Sequence, residues 1–256
     1  MNKRRLACVV DETPLAQEYF ARLSGVEWCG LDEAEIVVVI GGDGFMLQAM
    51  HRFYSSSVRL YGINAGTIGF LLNGECPDAQ SLLVRLKQAV PMLLKPLQFQ
   101  ATDIRGAIQK SYGFNEIALF RETRQAVKLS IHVDGVPRLL DFIGDGVLVA
   151  TPAGSTALNM SVGGPVLPLD ANLLSMAAMG SFRPRRWPGA LISQRSEVTI
   201  TVLEPQKRPA SVSADSTEFR DLAHISISEA PEAAIELLFD PEQTLGERIM
   251  KEQFSE

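Results

Sequence analysis

The chain has 256 residues, 46% of them hydrophobic and 21% charged, enough for one large domain or two modest ones with real cores. Its net charge of -6 argues against a general nucleic-acid binder, whose footprint is basic, while backbone N–H nests and a few Arg or Lys leave anionic ligands open. Cys8, Cys29 and Cys76 are scattered and odd in number, which supports neither a disulfide framework nor a structural zinc site and points to idle thiols in a reducing compartment.

Met1-Asn-Lys-Arg-Arg5 is basic, but the apolar run behind it ends at Val10 against Asp11-Glu12. That is too short for a signal segment or a membrane span, so a cytoplasmic protein is expected. Leu6–Val10 reads as a strand. Pro14 suits the first turn of a helix with Leu15, Tyr19 and Leu23 on one face. Ile36–Ile40 is a β-branched run, as in a strand buried on both faces of a parallel sheet. Phe45–Phe53 has helical spacing, Val58–Ile63 is another strand, and Pro77-Asp78 introduces an amphipathic helix through Leu82, Leu83, Leu86 and Val90. This alternation predicts a doubly wound, Rossmann-like α/β domain over residues 1–95.

Near Pro91–Pro96 the rhythm changes to period two. Lys128–Val133 alternates and meets Asp134-Gly135, a hairpin signal; Val198–Val202 and His224–Ser228 alternate too. Residues 96–230 therefore read as an all-β, sandwich-like domain, with Leu173–Met179 as a short helix within it. Residues 231–256, with Leu245, Ile249 and Met250 at helical spacing over Pro241–Phe254, are expected to pack back on the first domain.

Two segments carry chemistry. Gly144–Pro165 brackets the apolar run Val147–Ala150 with Gly, Asp, Ser and Thr. Such residues let backbone N–H groups and small hydroxyls approach a polyhydroxylated ligand such as a nucleotide. Gly41-Gly42-Asp43-Gly44 follows the buried strand and opens a helix, whose N-terminal N–H groups favour phosphate. Neither a P-loop nor a G-x-G-x-x-G fingerprint is present. Asp43 is then the anomaly: a carboxylate beside a phosphate loop either binds Mg²⁺, takes a proton from an attacking hydroxyl, or simply forms a tight turn.

Gly41-Gly-Asp-Gly44 resembles the loop shared by NAD kinases, diacylglycerol-type lipid kinases and, more distantly, phosphofructokinases. Three further segments resemble NAD kinases in particular: Asn64-Ala-Gly-Thr-Ile-Gly-Phe-Leu71, Phe114-Asn115-Glu116, and the stretch from Gly144-Asp145-Gly146 through Thr151-Pro152-Ala153-Gly154-Ser155-Thr156-Ala157 to Gly163-Gly164-Pro165. Taken together, in order over residues 36 to 168, they are specific. The resemblance implies phosphorylation of the 2′-hydroxyl of NAD's adenosine ribose by ATP, with Mg²⁺ accompanying the ATP. It implies Asp43 as general base, and Gly42 and Gly44 where the chain approaches the ligand. Asn115 and Glu116 would contact NAD, Asp145 would lie near the ribose, and Ala153, Thr156, Ala157 and Ser161 would close on the dinucleotide. No metal-ligating residue is assigned. The site would lie between the two halves, in a homodimer or homotetramer, with no nucleic-acid or membrane partner.

The chain departs from the family's pattern in places. Phe45 replaces the Thr of the usual Gly-Gly-Asp-Gly-Thr, Leu158 a Tyr, Ala150 a Ser, and the late Asp-Gly is at best Asp215-Ser216. A lipid kinase or a non-catalytic dinucleotide sensor are the alternatives. The polar stretch 144–164 disfavours a lipid channel, and retention of Asp43, Asn115, Glu116 and Asp145 disfavours a sensor. His51, His132 and His224 read as helix-surface or rim residues. Arg183-Pro-Arg-Arg-Trp187 reads as a solvated loop or subunit contact, with phosphate binding as the alternative.

Overall fold

The computed structural model describes residues 5–67 and 69–243. The chain divides into two units, one holding the chain up to Leu94 together with the stretch from Ala233, the other holding Lys95–Glu232.

In the first unit, β1 (Leu6–Val10), β2 (Ile36–Gly41) and β3 (Arg59–Asn64) pair in parallel, joined by α1 (Pro14–Arg22) and α2 (Asp43–Phe53). Every residue of β2 is buried, which is why its sequence is a continuous β-branched run rather than an alternating one. α1 buries Ala16 and Tyr19, with Leu23 just past its end, whereas Leu15 is exposed. Pro14 sets the first turn, and the expected face holds at Tyr19 and Leu23, with Ala16 rather than Leu15 as its first buried residue. α3 (Ala79–Gln88) is capped by Asp78, whose carboxylate accepts the Ser81 N–H at 2.7 Å. It buries Leu82 and Leu86 and leaves Leu83 exposed. Val90 is not on this helix: it opens β4 (Val90–Leu94), because Pro91 disfavours helical backbone at the residue before it.

The second unit begins with β5 (Leu97–Asp103), β6 (Ile108–Gly113), β7 (Glu116–Arg121), β8 (Val127–Val133), β9 (Val136–Gly144) and β10 (Gly146–Ala150). A 3₁₀ turn (Ala153–Thr156), the single-turn α4 (Leu158–Ser161), β11 (Leu173–Met179), β12 (Gly189–Ser193), β13 (Val198–Val202), β14 (Ala210–Ala214), β15 (Thr217–Phe219) and β16 (Leu222–Glu229) complete it. The strands form two sheets, ordered β12-β11-β10-β7-β14-β15 and β6-β5-β16-β13-β8-β9. One core joins them, with Ile117, Val149, Met176 and Val212 from the first sheet and Phe99, Leu129, Phe142 and Ile225 from the second. This is a sandwich of antiparallel sheets. Asp134 (φ 54°) and Gly135 (φ 73°) turn the β8–β9 hairpin in the left-handed conformation that an Asp-Gly pair accommodates.

Leu173–Met179 is a strand, not the helix expected. Its Leu, Met and Ala residues favour helix locally, but it pairs with β10 on one side and β12 on the other. Six of its seven residues are buried, so sheet pairing outweighs intrinsic propensity.

The last described strand, β17 (Ile235–Phe239), returns to the first unit and lies between β3 and β4. Pro91 is tolerated because β4 is left at that sheet's edge. A buried polar network holds β17 in place. The Asp240 N–H donates to Asn73 Oδ1 (2.8 Å), Asn73 Nδ2 donates to the Leu238 carbonyl (2.9 Å), and the Tyr61 hydroxyl donates to Asp240 Oδ1 (2.8 Å). Arg85 faces the other carboxylate oxygen at 3.4 Å. Burial, then the Asp240 charge, holds the Tyr61 hydroxyl well above its ordinary pKa. The helix expected over Pro241–Phe254 lies, beyond Gln243, outside the described residues.

Candidate active site

Asp43 is the first residue of α2, and both of its carboxylate oxygens are engaged. Oδ2 accepts the Phe70 N–H at 2.9 Å and Oδ1 the Leu71 N–H at 2.8 Å. An ionised carboxylate has about four acceptor positions. Two remain after these bonds, on a group whose orientation is set by backbone. The partners come from the Asn64–Leu71 segment, which is itself tightly folded. Asn64 Oδ1 accepts the Gly66 N–H at 2.8 Å, and Gly69 (φ 79°) passes so close to Asn64 that a Cβ would lie 2.4 Å from its Cγ. The two motifs are thus one construction: the Ala65 N–H donates to the Gly41 carbonyl at 2.9 Å, and a Cβ on Gly66 would stand 3.1 Å from the Gly42 Cα.

The glycines of the first motif have different reasons. A Cβ on Gly41 would lie 2.7 Å from the Phe45 ring, so Gly41 is small because Phe45 covers it. Phe45 therefore packs where a Thr would offer a hydroxyl. Gly42 would meet only the Gly66 Cα, at 3.9 Å, and around Gly44 a Cβ would meet nothing within 4 Å. The protein's own packing does not account for glycine at position 44.

In the second unit, Asn115 lies in the turn before β7 and Glu116 opens that strand. The Asp215 carboxylate receives both N–H groups of the turn, from Phe114 at 2.7 Å and Asn115 at 3.0 Å. The Asn115 carbonyl accepts the Thr151 N–H, and the Thr151 hydroxyl donates to the Phe114 carbonyl at 2.7 Å while accepting the Gly154 N–H at 3.0 Å. Gly154 is obligatory here, since a Cβ would lie 2.0 Å from the Asn115 carbonyl oxygen. Glu116 stands out: its Oε2 is buried with no hydrogen-bond partner among the described residues. Burial, then the Asp215 charge, pushes its carboxyl from 4.5 up to about 7.

Much of the polar stretch that reads as a ligand surface serves the fold instead. Ser155 and Asn159 are fully buried. The Ser155 hydroxyl donates to the Pro152 carbonyl and accepts the Leu167 N–H. Asn159 donates to the Ser155 and Pro165 carbonyls and accepts the Ser175 hydroxyl from β11. Gly164 leaves room for the Asn159 amide. Of the residues expected to bind, Ala153 and Ala157 are partly exposed, Ser161 is exposed, and Thr156 is buried with its hydroxyl 3.5 Å from the Ala153 carbonyl. Leu158 and Ala150, the two departures here, occur in one small apolar cluster with Ala118, Leu148 and Ala177. The loss of both polar groups together is therefore consistent.

The structure does not bring Asp145 to Asn115 and Glu116. Ala150 pairs with Glu116 and Gly146 with Phe120, so Asp145 sits at the other end of β10, about 17 Å away at the usual strand rise. It is ion-paired with the Arg121 Nε at 2.5 Å. Arg183, in the basic stretch, pairs with Asp141 at 2.8 Å, and Trp187 packs edge-on against Phe142. His224 is exposed and contacts Thr201 at 3.1 Å, while His51 and His132 are half-buried. Asp215 is the residue that sequence reasoning undervalued. Its φ of 48° places it in the left-handed region at the β14–β15 turn, whereas Ser216 has no positive φ and needs no glycine. Nothing in a lone turn aspartate signals that it receives N–H groups about 100 residues earlier in the chain.

The profile of the ATP-NAD kinase N-terminal domain matches residues 10–89, and that of the ATP-NAD kinase C-terminal domain matches residues 114–236. An NAD kinase of Xanthomonas oryzae is 48% identical over 225 residues, covering 88% of this chain and 87% of the relative. One from Rickettsia bellii is 38% identical over 255 residues, covering 99% of each. In fold, the chain is similar to yeast NADH kinase complexed with NADH (TM-score 0.81, 18% identity, 97% of this chain and 86% of that one). It is also similar to an NAD kinase from Archaeoglobus fulgidus in complex with ATP (TM-score 0.74, 22% identity, 96% and 98%). With both halves matched in order and relatives aligned over nearly their whole length, the chain belongs to the ATP-NAD kinase family.

Proposed function

We propose that this chain phosphorylates the 2′-hydroxyl of the adenosine ribose of NAD with ATP, giving NADP and ADP, and that Asp43 is the general base. The observation that carries the role of Asp43 is its anchoring. Two backbone N–H groups fix the carboxylate at the start of α2 and still leave acceptor positions for a substrate hydroxyl. Proton acceptance by such a group activates the hydroxyl, and the open space at Gly44 lets a ligand approach the helix N-terminus, where N–H groups favour phosphate oxygens. Asn115 and Glu116 contact the dinucleotide in this reading, and the exposed parts of residues 153–161 line its approach. Asp145, expected near the ribose, lies apart from that pair and is ion-paired with Arg121.

A divalent cation accompanies ATP, and we take it to be Mg²⁺. Bound, it would neutralise charge on the triphosphate. Among the described residues, no three His, Cys, Asp or Glu side chains come together as a metal cage. A cation held mainly by phosphates and water needs none. The protein is placed in the cytoplasm, where its unpaired thiols would remain reduced; burial pushes Cys8 up to about 12. Self-association is proposed through the second unit, where β12 is an edge strand with Leu191 half-exposed.

The test is an NADP-formation assay with NAD or NADH as acceptor and ATP or polyphosphate as donor. NADP should form from NAD, ATP and Mg²⁺, and Asp43→Asn should lower kcat by about 10²- to 10⁴-fold. A purified protein that makes no NADP and binds no NAD overturns the reading.

A further inference from the structure

We propose that Asp215 is a positioning residue for the dinucleotide: it holds the turn that carries Asn115 and Glu116 in the geometry in which that pair meets the substrate. The inference rests on the reading that Asn115 and Glu116 contact NAD.

Asp215 acts from a different hairpin. It sits at the β14–β15 turn, in the left-handed conformation, beside the end of β7. From there its two oxygens take the N–H groups of Phe114 and Asn115, at 2.7 and 3.0 Å. A turn before a strand otherwise has to find water or a side chain for such donors. A charged acceptor receiving both at once is among the stronger ways to hold a turn. Thr151 and Gly154 clamp the other face of the turn, through the Asn115 and Phe114 carbonyls. The position of the Asn115 side chain follows from a backbone fixed on both faces.

The second effect is electrostatic. Glu116 has a buried oxygen without a hydrogen-bond partner among the described residues. Burial is the larger influence holding its proton, and the negative charge of Asp215 adds to it. Among the described residues, Asp215 is the charged group that acts on Glu116: its register partner on β10, Ala150, is uncharged, and on the β14 side the Asp215 N–H itself reaches the Glu116 carbonyl at 3.5 Å. Near neutral pH, Glu116 is therefore shared between an O–H donor form and a carboxylate. With Asp215 neutralised, Glu116 becomes a carboxylate at lower pH and repels an anionic dinucleotide more strongly.

The test uses Asp215→Asn in the full-length protein. An Asn side chain can accept only one of the two N–H groups and presents its own N–H₂ to the other. The expected result is a KM for NAD raised about tenfold or more, with kcat and the KM for ATP within a factor of about three. The carboxyl titration of Glu116, followed by carbon NMR of the ligand-free protein, should move below 7 toward its ordinary range. An unchanged KM for NAD together with an unchanged Glu116 titration overturns the inference. So does a loss spread equally over kcat and both KM values. If Asp215→Asn does not fold, Asp215→Glu keeps the charge but displaces the acceptor; it should raise the KM for NAD with the Glu116 titration nearly retained, and an unchanged KM counts against the proposal. Glu116→Gln and Asn115→Ala separate the two levels. If neither alters the KM for NAD, the reading of the pair fails; if both do and Asp215→Asn does not, only the positioning role fails.

Discussion

Gly44→Ala separates a structural glycine from a functional one. Gly44 lies in the first turn of α2, exposed, and a Cβ there meets nothing within 4 Å. Alanine exceeds glycine by about 1 kcal/mol in a helix interior, and roughly half of that is a fair expectation in the first turn. With no clash to offset it, the variant should be stabilised by about 0.5 kcal/mol, raising Tm by about 1–2 °C. The same methyl group stands beside Asp43, in the space through which, on the proposed function, a ligand approaches. A displacement of about 1 Å at a reacting centre can cost on the order of 100-fold, so kcat/KM should fall by about 10- to 100-fold. Gly41→Ala is the contrasting variant: its Cβ would lie 2.7 Å from the Phe45 ring. It should destabilise by about 1–3 kcal/mol, as overpacking does. The assays are thermal melting and NADP formation on the same preparations. A Gly44→Ala protein that is more stable and fully active refutes the assignment of this space to a ligand; one that is less stable refutes the steric argument itself.

Two further outcomes follow from titration and burial. Glu116 is held at about 7 in the folded protein against an ordinary 4.5, first by burial and then by Asp215, so the folded state binds this proton more tightly than the unfolded chain. The resulting stabilisation is whole below about 4.5 and is lost as pH rises through about 7. Glu116→Gln should therefore match the parent at pH 4 and exceed its stability by about 2–3 kcal/mol at pH 8 in urea unfolding; an equal difference at both pH values contradicts the argument. Tyr61→Phe removes the donor to Asp240 Oδ1 in the network that fastens β17. It should cost about 1–3 kcal/mol in denaturant unfolding without changing the KM for NAD or ATP, and a loss below about 0.5 kcal/mol shows that Arg85 and Asn73 suffice.

Local pattern was enough for the strands and helices up to α3, but not for Val90, which opens β4 instead of ending that helix. A β-branched run such as Ile36–Ile40 can hardly be anything but a doubly buried strand, and Gly41–Gly44 behind it marks a helix start. The alternating segments and Asp134-Gly135 identified the β-rich half, because period two and a left-handed turn are properties of a few adjacent residues. The four motifs in order identified the family. Tertiary structure decided what depends on partners distant in sequence. Leu173–Met179 became a strand because β10 and β12 were there to pair with it, whatever its own helical preference. Ser155 and Asn159 lie in the stretch that reads as a ligand surface and are consumed by internal hydrogen bonds. Asp215 looks like an imperfect turn and instead receives the backbone of the Asn115 turn. Spacing along the chain records which groups are available for chemistry. Which of them remain available once buried donors and acceptors have been satisfied is settled only when the sheets close on one another.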